Sequence, residues 1–168
     1  MSSSLKNLSS YDASVVPDAS PFRFGIVVSE WNHAVTGALL DGAVATLKKH
    51  GASDDYLFIR HVPGSYELTA GGQFMAEYME VDAVICLGCV IQGETRHFDF
   101  ICQAVSAGLT ELTIKYNLPF IFGVLTPDNM EQALDRAGGR HGNKGDEAAV
   151  TAIKMAALQK ELRTAKNS

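Results

Sequence analysis

The sequence predicts an α/β fold: a three-layer α/β/α sandwich with a four-stranded parallel sheet in the middle. Four short apolar runs predict the strands, because strands buried on both faces of a parallel sheet have nearly continuous hydrophobic sequences. Between and after these runs, apolar residues recur at intervals of three and four, which is the spacing of an amphipathic helix. Strands and helices that alternate in this way are typical of parallel sheets, whose neighbouring strands are joined by crossover helices.

The predicted elements follow one another along the chain in that alternating order. The strands are expected at residues 24–28, 56–62, 83–87 and 119–125. The helices are expected at about residues 34–50, 65–79, 97–116, 127–136 and 147–162.

Turn and capping residues mark the ends of these helices. Gly51 ends the first helix, since glycine is favoured just beyond a helix C-terminus. Ser65 can cap the second helix through its hydroxyl. Pro127 is expected in the first turn of the fourth helix, where its missing N–H is not needed. Residues 138–145 contain four glycines, which a helix does not tolerate, and predict a hinge or a binding loop.

Right-handed crossovers between the strands favour a flavodoxin-like strand order, 2-1-3-4. In open sheets of this kind, ligands bind beyond the carboxyl ends of the strands. Four segments are predicted to lie at that edge: Trp31, residues 65–67, residues 93–97 and residues 122–127. The sequence thus predicts one composite site.

The loop after the third strand combines features of an anion site. Gly88 and Gly93 lead into a predicted helix, whose first-turn N–H groups have no intrahelical partner and whose dipole favours negative charge. Thr95 adds a hydroxyl, and His97 adds an imidazole, a side chain whose unperturbed pKa lies near neutrality. A lone histidine at such a place is more often only a helix-start residue, so this spacing needs support from the rest of the chain.

Other side chains have both a structural and a functional interpretation. Trp31, the only tryptophan, lies in a strand-to-helix loop and can present a flat face to a planar ligand. Ser65 and Glu67 can serve as a cap and as an acid that suits the helix dipole, or they can hydrogen-bond the hydroxyls of a ligand. Phe122 is expected in the core, since large apolar residues within a strand usually are.

Length and composition limit the remaining possibilities. At 168 residues and 18.1 kDa, the chain is expected to form a single domain, residues 21–168, after a flexible Ser-rich arm, residues 1–20, or an edge strand that reaches a neighbour. No apolar run approaches the roughly 20 residues of a membrane span, and the N-terminus lacks a secretion signal. A cytoplasmic protein without a membrane partner is expected, and the net charge of −5 argues against a nucleic-acid surface.

The three cysteines, Cys86, Cys89 and Cys102, fit reduced thiols in a cytoplasm. The Cys86-x-x-Cys89 spacing suggests a zinc or redox site. On one strand, however, a separation of three places the two thiols on opposite faces, and no second cysteine pair completes a metal site. A structural role is therefore predicted for both.

Five blocks of the sequence, considered together, resemble the lumazine synthase family. They are FGIVVSEWNHA, VPGSYEL, GCVIQGETRHFDF, FGVLTPDNMEQALDRAGG and GNKGDEAA, and the resemblance covers about residues 22–162. Several blocks in the family's order and spacing are far more specific than a single glycine motif.

The resemblance implies a transferase of riboflavin biosynthesis. Such an enzyme condenses 5-amino-6-(D-ribitylamino)uracil with 3,4-dihydroxy-2-butanone 4-phosphate to 6,7-dimethyl-8-ribityllumazine, and it releases phosphate and water. No step is a redox step, so the resemblance implies no cofactor and no metal.

The resemblance also implies roles for individual residues. His97 matches the catalytic histidine that transfers protons, and Trp31 matches the aromatic stacking position. The other substrate-binding positions are Ser65, Tyr66, Glu67, Val90, Ile91, Glu94, Thr95, Phe122, Arg136 and Lys144.

These positions divide by the part of the ligand that they would contact. Ser65 and Glu67 would hold the ribityl chain, and Val90 and Ile91 would line the pyrimidine pocket. The loop containing Thr95 matches the phosphate side.

Three further positions would come from an adjacent subunit: Phe122, Arg136 and Lys144, with Arg136 directed at the phosphate. A site shared in this way implies self-association as a homopentamer. Some family members assemble twelve pentamers into an icosahedral shell. The glycine-rich segment after Arg136 has no insertion here, as in shell-forming members, so a shell is predicted.

The sequence departs from the commoner family pattern in the phosphate loop. Gln92 stands where many members have Arg, and Glu94 and Arg96 replace smaller residues. Because a carboxylate repels a phosphate, Glu94 is expected to bind through its backbone N–H, with its side chain directed away, towards Arg96.

Two other functions remain as alternatives. A flavin-binding or storage protein on the same scaffold would use Trp31 as its stacking surface. A receiver-like signalling module would need acidic residues at the strand ends for Mg²⁺, but the third strand ends in Cys-Leu-Gly-Cys.

Overall fold

A computed structural model describes residues 7–167, so the first six residues of the predicted arm lie outside the described part of the chain. The strands of the main sheet are β1 (Phe24–Ser29), β2 (Leu57–Val62), β3 (Ala83–Cys89) and β4 (Phe120–Leu125). The α-helices are α1 (His33–Lys49), α2 (Leu68–Tyr78), α3 (His97–Tyr116), α4 (Met130–Asp135) and α5 (Lys144–Asn167). A two-stranded hairpin, β5 (Ala137–Gly139) and β6 (Gly142–Asn143), joins α4 to α5.

The main sheet confirms the predicted topology. Its four strands are parallel and lie in the order β2-β1-β3-β4. Every residue of β1 and β3 is buried, which is why these two strands have uninterrupted apolar sequences.

Two apolar cores lie on opposite faces of the sheet and make the three-layer sandwich. On one face, α1 and α5 cover residues such as Ile26 and Ile85. On the other face, α2 and α3 cover Val27 and Val84. Successive residues of β1 and β3 therefore alternate between the two cores, as strand geometry requires.

The two strand cysteines confirm the predicted alternation. Cys86 belongs to the core under α2 and α3, whereas Cys89 belongs to the core under α1 and α5. Burial raises the pKa of Cys86 to about 12 and that of Cys89 to about 11, because the thiolate loses its hydration. Both thiols are therefore neutral at physiological pH, in keeping with a structural role.

Three local predictions about helix ends are wrong. α4 begins at Met130, not near Pro127, because the Asn129 side chain accepts the Gln132 N–H at 2.9 Å and so forms the cap. Ser65 does not cap α2 but opens a short 3₁₀ turn, Ser65–Glu67, before it. α5 begins at Lys144, not near Glu147, because the glycine-rich segment before it folds into the short β5–β6 hairpin and the helix follows directly.

The described part of the predicted arm packs against its own chain. The Leu8 N–H donates to the His141 carbonyl at 2.7 Å, and the Ala19 N–H donates to the His50 carbonyl at 2.8 Å. A 3₁₀ turn, Ala13–Val15, lies between these contacts. The flexibility of the arm in solution stays a prediction. Within residues 7–167, no helix combines the length and apolar character that a membrane span requires.

The contact between Tyr11 and His50 is expected to weaken in acid. The Tyr11 hydroxyl lies 3.0 Å from His50 Nε2, and burial, then the charge of Lys49, lowers the pKa of His50 below its ordinary 6.5. The folded chain therefore favours the neutral imidazole. The contribution of this contact to the free energy of unfolding is therefore fully present above pH 6.5. It is lost as the pH falls through the lowered pKa of His50.

Hydrogen exchange measures this effect. After correction for intrinsic rates, the amides near Tyr11 should exchange faster at about pH 5 than at about pH 7.5, because the charged fraction of the imidazole rises as the pH falls. Tyr11→Phe, which lacks the hydroxyl, should lose protection already at the higher pH. Equal protection at both pH values in the wild-type chain would contradict the prediction.

Candidate active site

A pocket of about 690 Å³ opens at the carboxyl edge of the main sheet. Segments that follow β1, β2 and β3 line it, together with the first turns of α3. The lining residues are Trp31, Asn32, Gly64, Ser65, Tyr66, Glu67, Cys89, Val90, Ile91, His97, Phe100 and Ile101. The pocket therefore lies at the edge where the strand order predicts a ligand.

The loop after β1 supplies the aromatic wall. The Trp31 N–H donates to the Pro63 carbonyl at 3.1 Å, and the Glu30 N–H donates to the Val62 carbonyl at 2.8 Å. These two bonds tie the loop to the end of β2, so the backbone of Trp31 is fixed while its side chain is 73% exposed. An anchored but exposed indole offers a flat apolar face to a planar ring.

Asn32 connects this loop to the end of β3. Its backbone lies in the left-handed region, with φ of 61°, which asparagine tolerates better than most residues. The side-chain Nδ2 donates to the Cys89 carbonyl at 2.9 Å. Asn32 therefore fixes the separation between the walls that Trp31 and Val90 provide.

The 3₁₀ turn after β2 supplies a buried hydroxyl. Ser65 is only 6% exposed, and its Oγ has no hydrogen-bond partner among the described residues. Gly88 permits this placement, because a Cβ there would lie 2.7 Å from Ser65 Oγ. A buried hydroxyl without a partner costs about 1–3 kcal/mol, so a ligand hydroxyl that bonds Ser65 would recover this free energy.

The loop after β3 supplies the apolar floor and leads to α3. The Val90 N–H donates to the Leu125 carbonyl at 2.8 Å, and the Gln92 N–H donates to the Pro127 carbonyl at 2.9 Å. These bonds hold the loop against the end of β4. Val90 and Ile91 are half-buried where they line the pocket.

His97 is the first residue of α3 and is exposed towards solvent and pocket. The preceding residue, Arg96, makes no side-chain cap, and Thr95 Oγ1 accepts the His97 N–H at the long distance of 3.4 Å. The first turn of α3 is therefore weakly capped by the protein itself, and its N–H groups favour an anion.

Seven of the predicted site residues line this one pocket. They are Trp31, Ser65, Tyr66, Glu67, Val90, Ile91 and His97. Glu94 and Thr95 are exposed on the loop before α3 and do not line it.

Phe122, Arg136 and Lys144 also do not line the pocket. Phe122 is 38% exposed, so the expectation of a core residue is wrong. It is also not in a loop at the sheet edge, because it lies within β4, opposite Cys86. β4 is an edge strand of the sheet, and this position leaves the Phe122 ring partly exposed beside α3 residues such as Thr110 and Ile114.

Arg136 and Lys144 flank the β5–β6 hairpin. The Lys144 N–H donates to the Arg136 carbonyl at 2.8 Å. The Arg136 guanidinium donates to the Gln132 carbonyl at 3.0 Å, and Lys144 Nζ lies 2.8 Å from the Glu147 carboxylate. The backbones of the two cationic residues are thus joined, and neither residue lines the pocket of the same chain.

Sequence reasoning missed several lining residues, among them Asn32, Phe100 and Ile101. Asn32 carries a usable signal, because asparagine beside a loop tryptophan is a residue type that adopts positive φ and bonds backbone carbonyls. Phe100 and Ile101 lie one turn after His97, so helical periodicity alone places them beside it.

The pocket combines apolar walls with few ionisable groups. Besides Cys89, whose thiol stays neutral because burial raises its pKa to about 11, its ionisable side chains are Tyr66, Glu67 and His97. Such a pocket can hold a flat heterocycle against Trp31, bond its hydroxyls near Ser65 and transfer protons at His97. Among the described residues, no group of three or more His, Cys, Asp and Glu side chains is placed to hold a metal ion.

Comparison with known proteins gives consistent matches over nearly the whole chain. A family model described as 6,7-dimethyl-8-ribityllumazine synthase matches residues 21–160. A protein of that name from Cytophaga hutchinsonii is 62% identical over 157 residues, which cover 94% of this chain and 98% of the relative. Proteins of the same name from Parabacteroides distasonis and Porphyromonas gingivalis are 57% and 53% identical, over 92% and 95% of this chain and 97% and 99% of their own lengths.

Proposed function

Because this chain belongs to the 6,7-dimethyl-8-ribityllumazine synthase family of riboflavin biosynthesis, we propose that its pocket condenses 5-amino-6-(D-ribitylamino)uracil with 3,4-dihydroxy-2-butanone 4-phosphate. The family and the enzyme class predicted from five blocks of sequence are confirmed. The substrates and the roles of single residues are the proposal.

One observation carries the proposal. Trp31, the 65–67 turn and His97 come from three different strand ends, and they line the same pocket. The aromatic face, the buried Ser65 hydroxyl and the imidazole are the groups that a flat ring, a polyol chain and a proton-transfer reaction each require.

The proposed reaction balances without an oxidant or a reductant. The 5-amino group of the uracil adds to the ketone carbon of the butanone, and loss of water gives an imine. Loss of a proton from the adjacent carbon expels inorganic phosphate. Elimination leaves an enol, which tautomerises to a ketone. The ribitylamino nitrogen attacks this new carbonyl carbon, and loss of a second water closes the lumazine ring.

His97 is the residue that moves protons in this scheme. Each addition, dehydration and elimination transfers a proton, and an imidazole can accept and return one near neutral pH. Glu67 stands beside the buried Ser65 and would bind hydroxyls of the ribityl chain. Trp31 would stack on the pyrimidine, with Val90 and Ile91 on its other side.

The phosphate would be bound from two chains. The loop with Glu94 and Thr95 offers backbone N–H groups and a hydroxyl at the weakly capped start of α3. Arg136, with Lys144 beside it, would reach the same phosphate from a neighbouring copy of the chain, and Phe122 of that copy would cover the ring. The exposed Phe122 ring and the separation of both cations from the chain's own pocket support this arrangement.

The direct test is to mix both substrates with the purified protein. The expected result is the fluorescence of the lumazine together with one inorganic phosphate per turnover. A yellow protein that binds flavin but forms no lumazine would instead favour the storage protein on the same scaffold. A protein that neither forms lumazine nor binds flavin would contradict the proposed function.

We also propose that the chain assembles as a homopentamer and that twelve pentamers form an icosahedral shell. Exposed apolar side chains on α2 and α3, including Phe74, Tyr78 and Ile114, support a large contact between copies. Size-exclusion chromatography with light scattering should give the mass of twelve pentamers of an 18.1 kDa chain. A single pentamer would contradict the shell but not the enzyme, whereas an active monomer would contradict the shared site.

Arg136→Ala should weaken binding of the phosphorylated substrate. A charge-assisted hydrogen bond contributes about 1.5–3 kcal/mol, so we expect the Michaelis constant for the butanone phosphate to rise by roughly ten- to hundredfold. The Michaelis constant for the uracil substrate should change little. Steady-state kinetics with each substrate varied in turn measures both values.

The control is Arg163→Ala. Arg163 is exposed near the end of α5 and does not line the pocket, so its loss should leave both Michaelis constants near the wild-type values. An unchanged constant for the phosphorylated substrate in Arg136→Ala would withdraw the phosphate role from Arg136.

A further inference from the structure

The β5–β6 hairpin carries both cations that the proposed function takes from a neighbouring subunit. Arg136 immediately precedes β5, and Lys144 immediately follows β6. The backbone hydrogen bond of 2.8 Å from the Lys144 N–H to the Arg136 carbonyl closes the hairpin between them. The position of the hairpin therefore sets the position of both cations.

The hairpin is too small to be rigid by itself. Its strands contain three and two residues, and their pairing has an irregular register. Isolated two-stranded hairpins are at best marginally stable in water. Gly138 and Gly142 both have positive φ, 107° and 79°, which gives the turn further conformational freedom. Contacts from outside must hold the hairpin in place.

The N-terminal segment supplies one of these contacts. The Asn143 N–H donates to Ser9 Oγ at 2.9 Å, and the Leu8 N–H donates to the His141 carbonyl at 2.7 Å. The N-terminal segment and the hairpin are in direct contact, because a Cβ added to Gly142 would lie 2.7 Å from Ser9 N. Residues 8 and 9 therefore bond the hairpin turn at His141 and the strand β6 at Asn143.

Asn143 joins this contact to the helices. Its side-chain Nδ2 donates to the Ala38 carbonyl of α1 at 2.8 Å, and its Oδ1 accepts the Gly145 N–H at the start of α5 at 2.7 Å. The backbone of Asn143 rests on Ser9 while its side chain is bonded to α1 and α5. The hairpin is thus held between the N-terminal segment and the body of the fold.

We propose that Ser9, acting through Asn143, is a positioning residue for Arg136 and Lys144. This inference rests on the proposed function, since it concerns the cations that would bind the phosphate. Ser9 touches no substrate in this scheme. Its hydroxyl holds the hairpin at the place from which Arg136 can reach the anion.

The test is Ser9→Ala in the full-length enzyme, with each substrate varied in turn. Loss of one hydrogen bond to the hairpin backbone should raise the Michaelis constant for the butanone phosphate by roughly three- to tenfold. The turnover number and the Michaelis constant for the uracil should stay within about twofold, because the uracil site is built from other elements. Ser9→Thr, which keeps the hydroxyl, should restore the wild-type value.

Ser10→Ala is the matched control. Ser10 is exposed, and its own contact to residue 7 is made by the backbone N–H, so removal of its hydroxyl should change neither constant. A merely structural role for Ser9 predicts a different result: less active protein, hence a lower apparent turnover number, with both Michaelis constants unchanged.

The outcomes separate this inference from the proposed function. If the wild-type protein forms no lumazine, both the proposed function and the positioning role of Ser9 are wrong. If the wild-type protein is active and Ser9→Ala binds the phosphorylated substrate normally, or Ser9→Thr does not restore binding, the positioning role alone is wrong. The double variant with Arg136→Ala should be less impaired than the product of the two single effects, because Ser9 acts through the cation that is missing.

Discussion

Gly145→Ala is expected to lose much of the stability of the fold. Gly145 lies at the start of α5, where this helix crosses α1, and a Cβ there would lie 1.9 Å from the Leu39 carbonyl oxygen and 2.8 Å from its carbon. Both are backbone atoms of a fully buried residue, so no rotation of a side chain relieves the overlap. The helices would have to separate.

The expected cost is about 3 kcal/mol or more, at the upper end of measured overpacking effects. Domains of this size are stable by only about 5–15 kcal/mol, so a large part of the folding free energy would be lost. Urea unfolding followed by circular dichroism measures the change. The expected result is a clearly lower midpoint or an insoluble protein.

Gly93→Ala is the control for that measurement. No atom lies within 4 Å of a Cβ built at Gly93, and its φ is not in the left-handed region. Alanine should therefore leave the unfolding midpoint near its wild-type value. A Gly145 variant as stable as the Gly93 variant would show that α1 and α5 do not cross as closely as described.

His97→Ala is expected to slow turnover by roughly 10²–10⁴-fold, the usual contribution of a positioned proton-transfer group. Activity should persist above the uncatalysed rate, because the pocket still holds both substrates together, and orientation alone supplies several kcal/mol. The Michaelis constants should change less than the turnover number, since the walls of the pocket and the proposed phosphate contacts remain.

Single-turnover fluorescence of the product measures the chemical step directly. His61→Ala serves as the control, because His61 is exposed on β2 and does not line the pocket. It should turn over at the wild-type rate. If the His97 variant did so as well, another group would have to move the protons, and Glu67 is the remaining carboxylate in the pocket.

The sequence predicts the frame of this protein well because local patterns are sufficient for it. The continuous apolar runs of β1 and β3 could only be buried on both faces, and the crossover helices then fixed the strand order. Open parallel sheets bind ligands at their carboxyl edge, so the sequence alone predicts that the loop residues Trp31 and Ser65 lie beside His97.

Predictions failed where a local preference competed with a tertiary contact. Ser65 has the residue type of a cap, but packing against Gly88 buries its hydroxyl instead. Pro127 suits a helix start, but its carbonyl accepts the Gln92 N–H while Asn129 caps the helix two residues later. Phe122 has the residue type of a core side chain, yet β4 is an edge strand and leaves it exposed.

By itself, the sequence determined the alternation of strands and helices, the edge of the sheet where the pocket opens, and the residue types that line it. Apolar periodicity and strand polarity act over a few residues and can be seen in the chain. Only the tertiary structure decided that Ser9 rests on Asn143 and that Gly145 meets Leu39. Those contacts join residues more than 100 positions apart, and their distances depend on how the helices and the N-terminal segment pack, which no local pattern encodes.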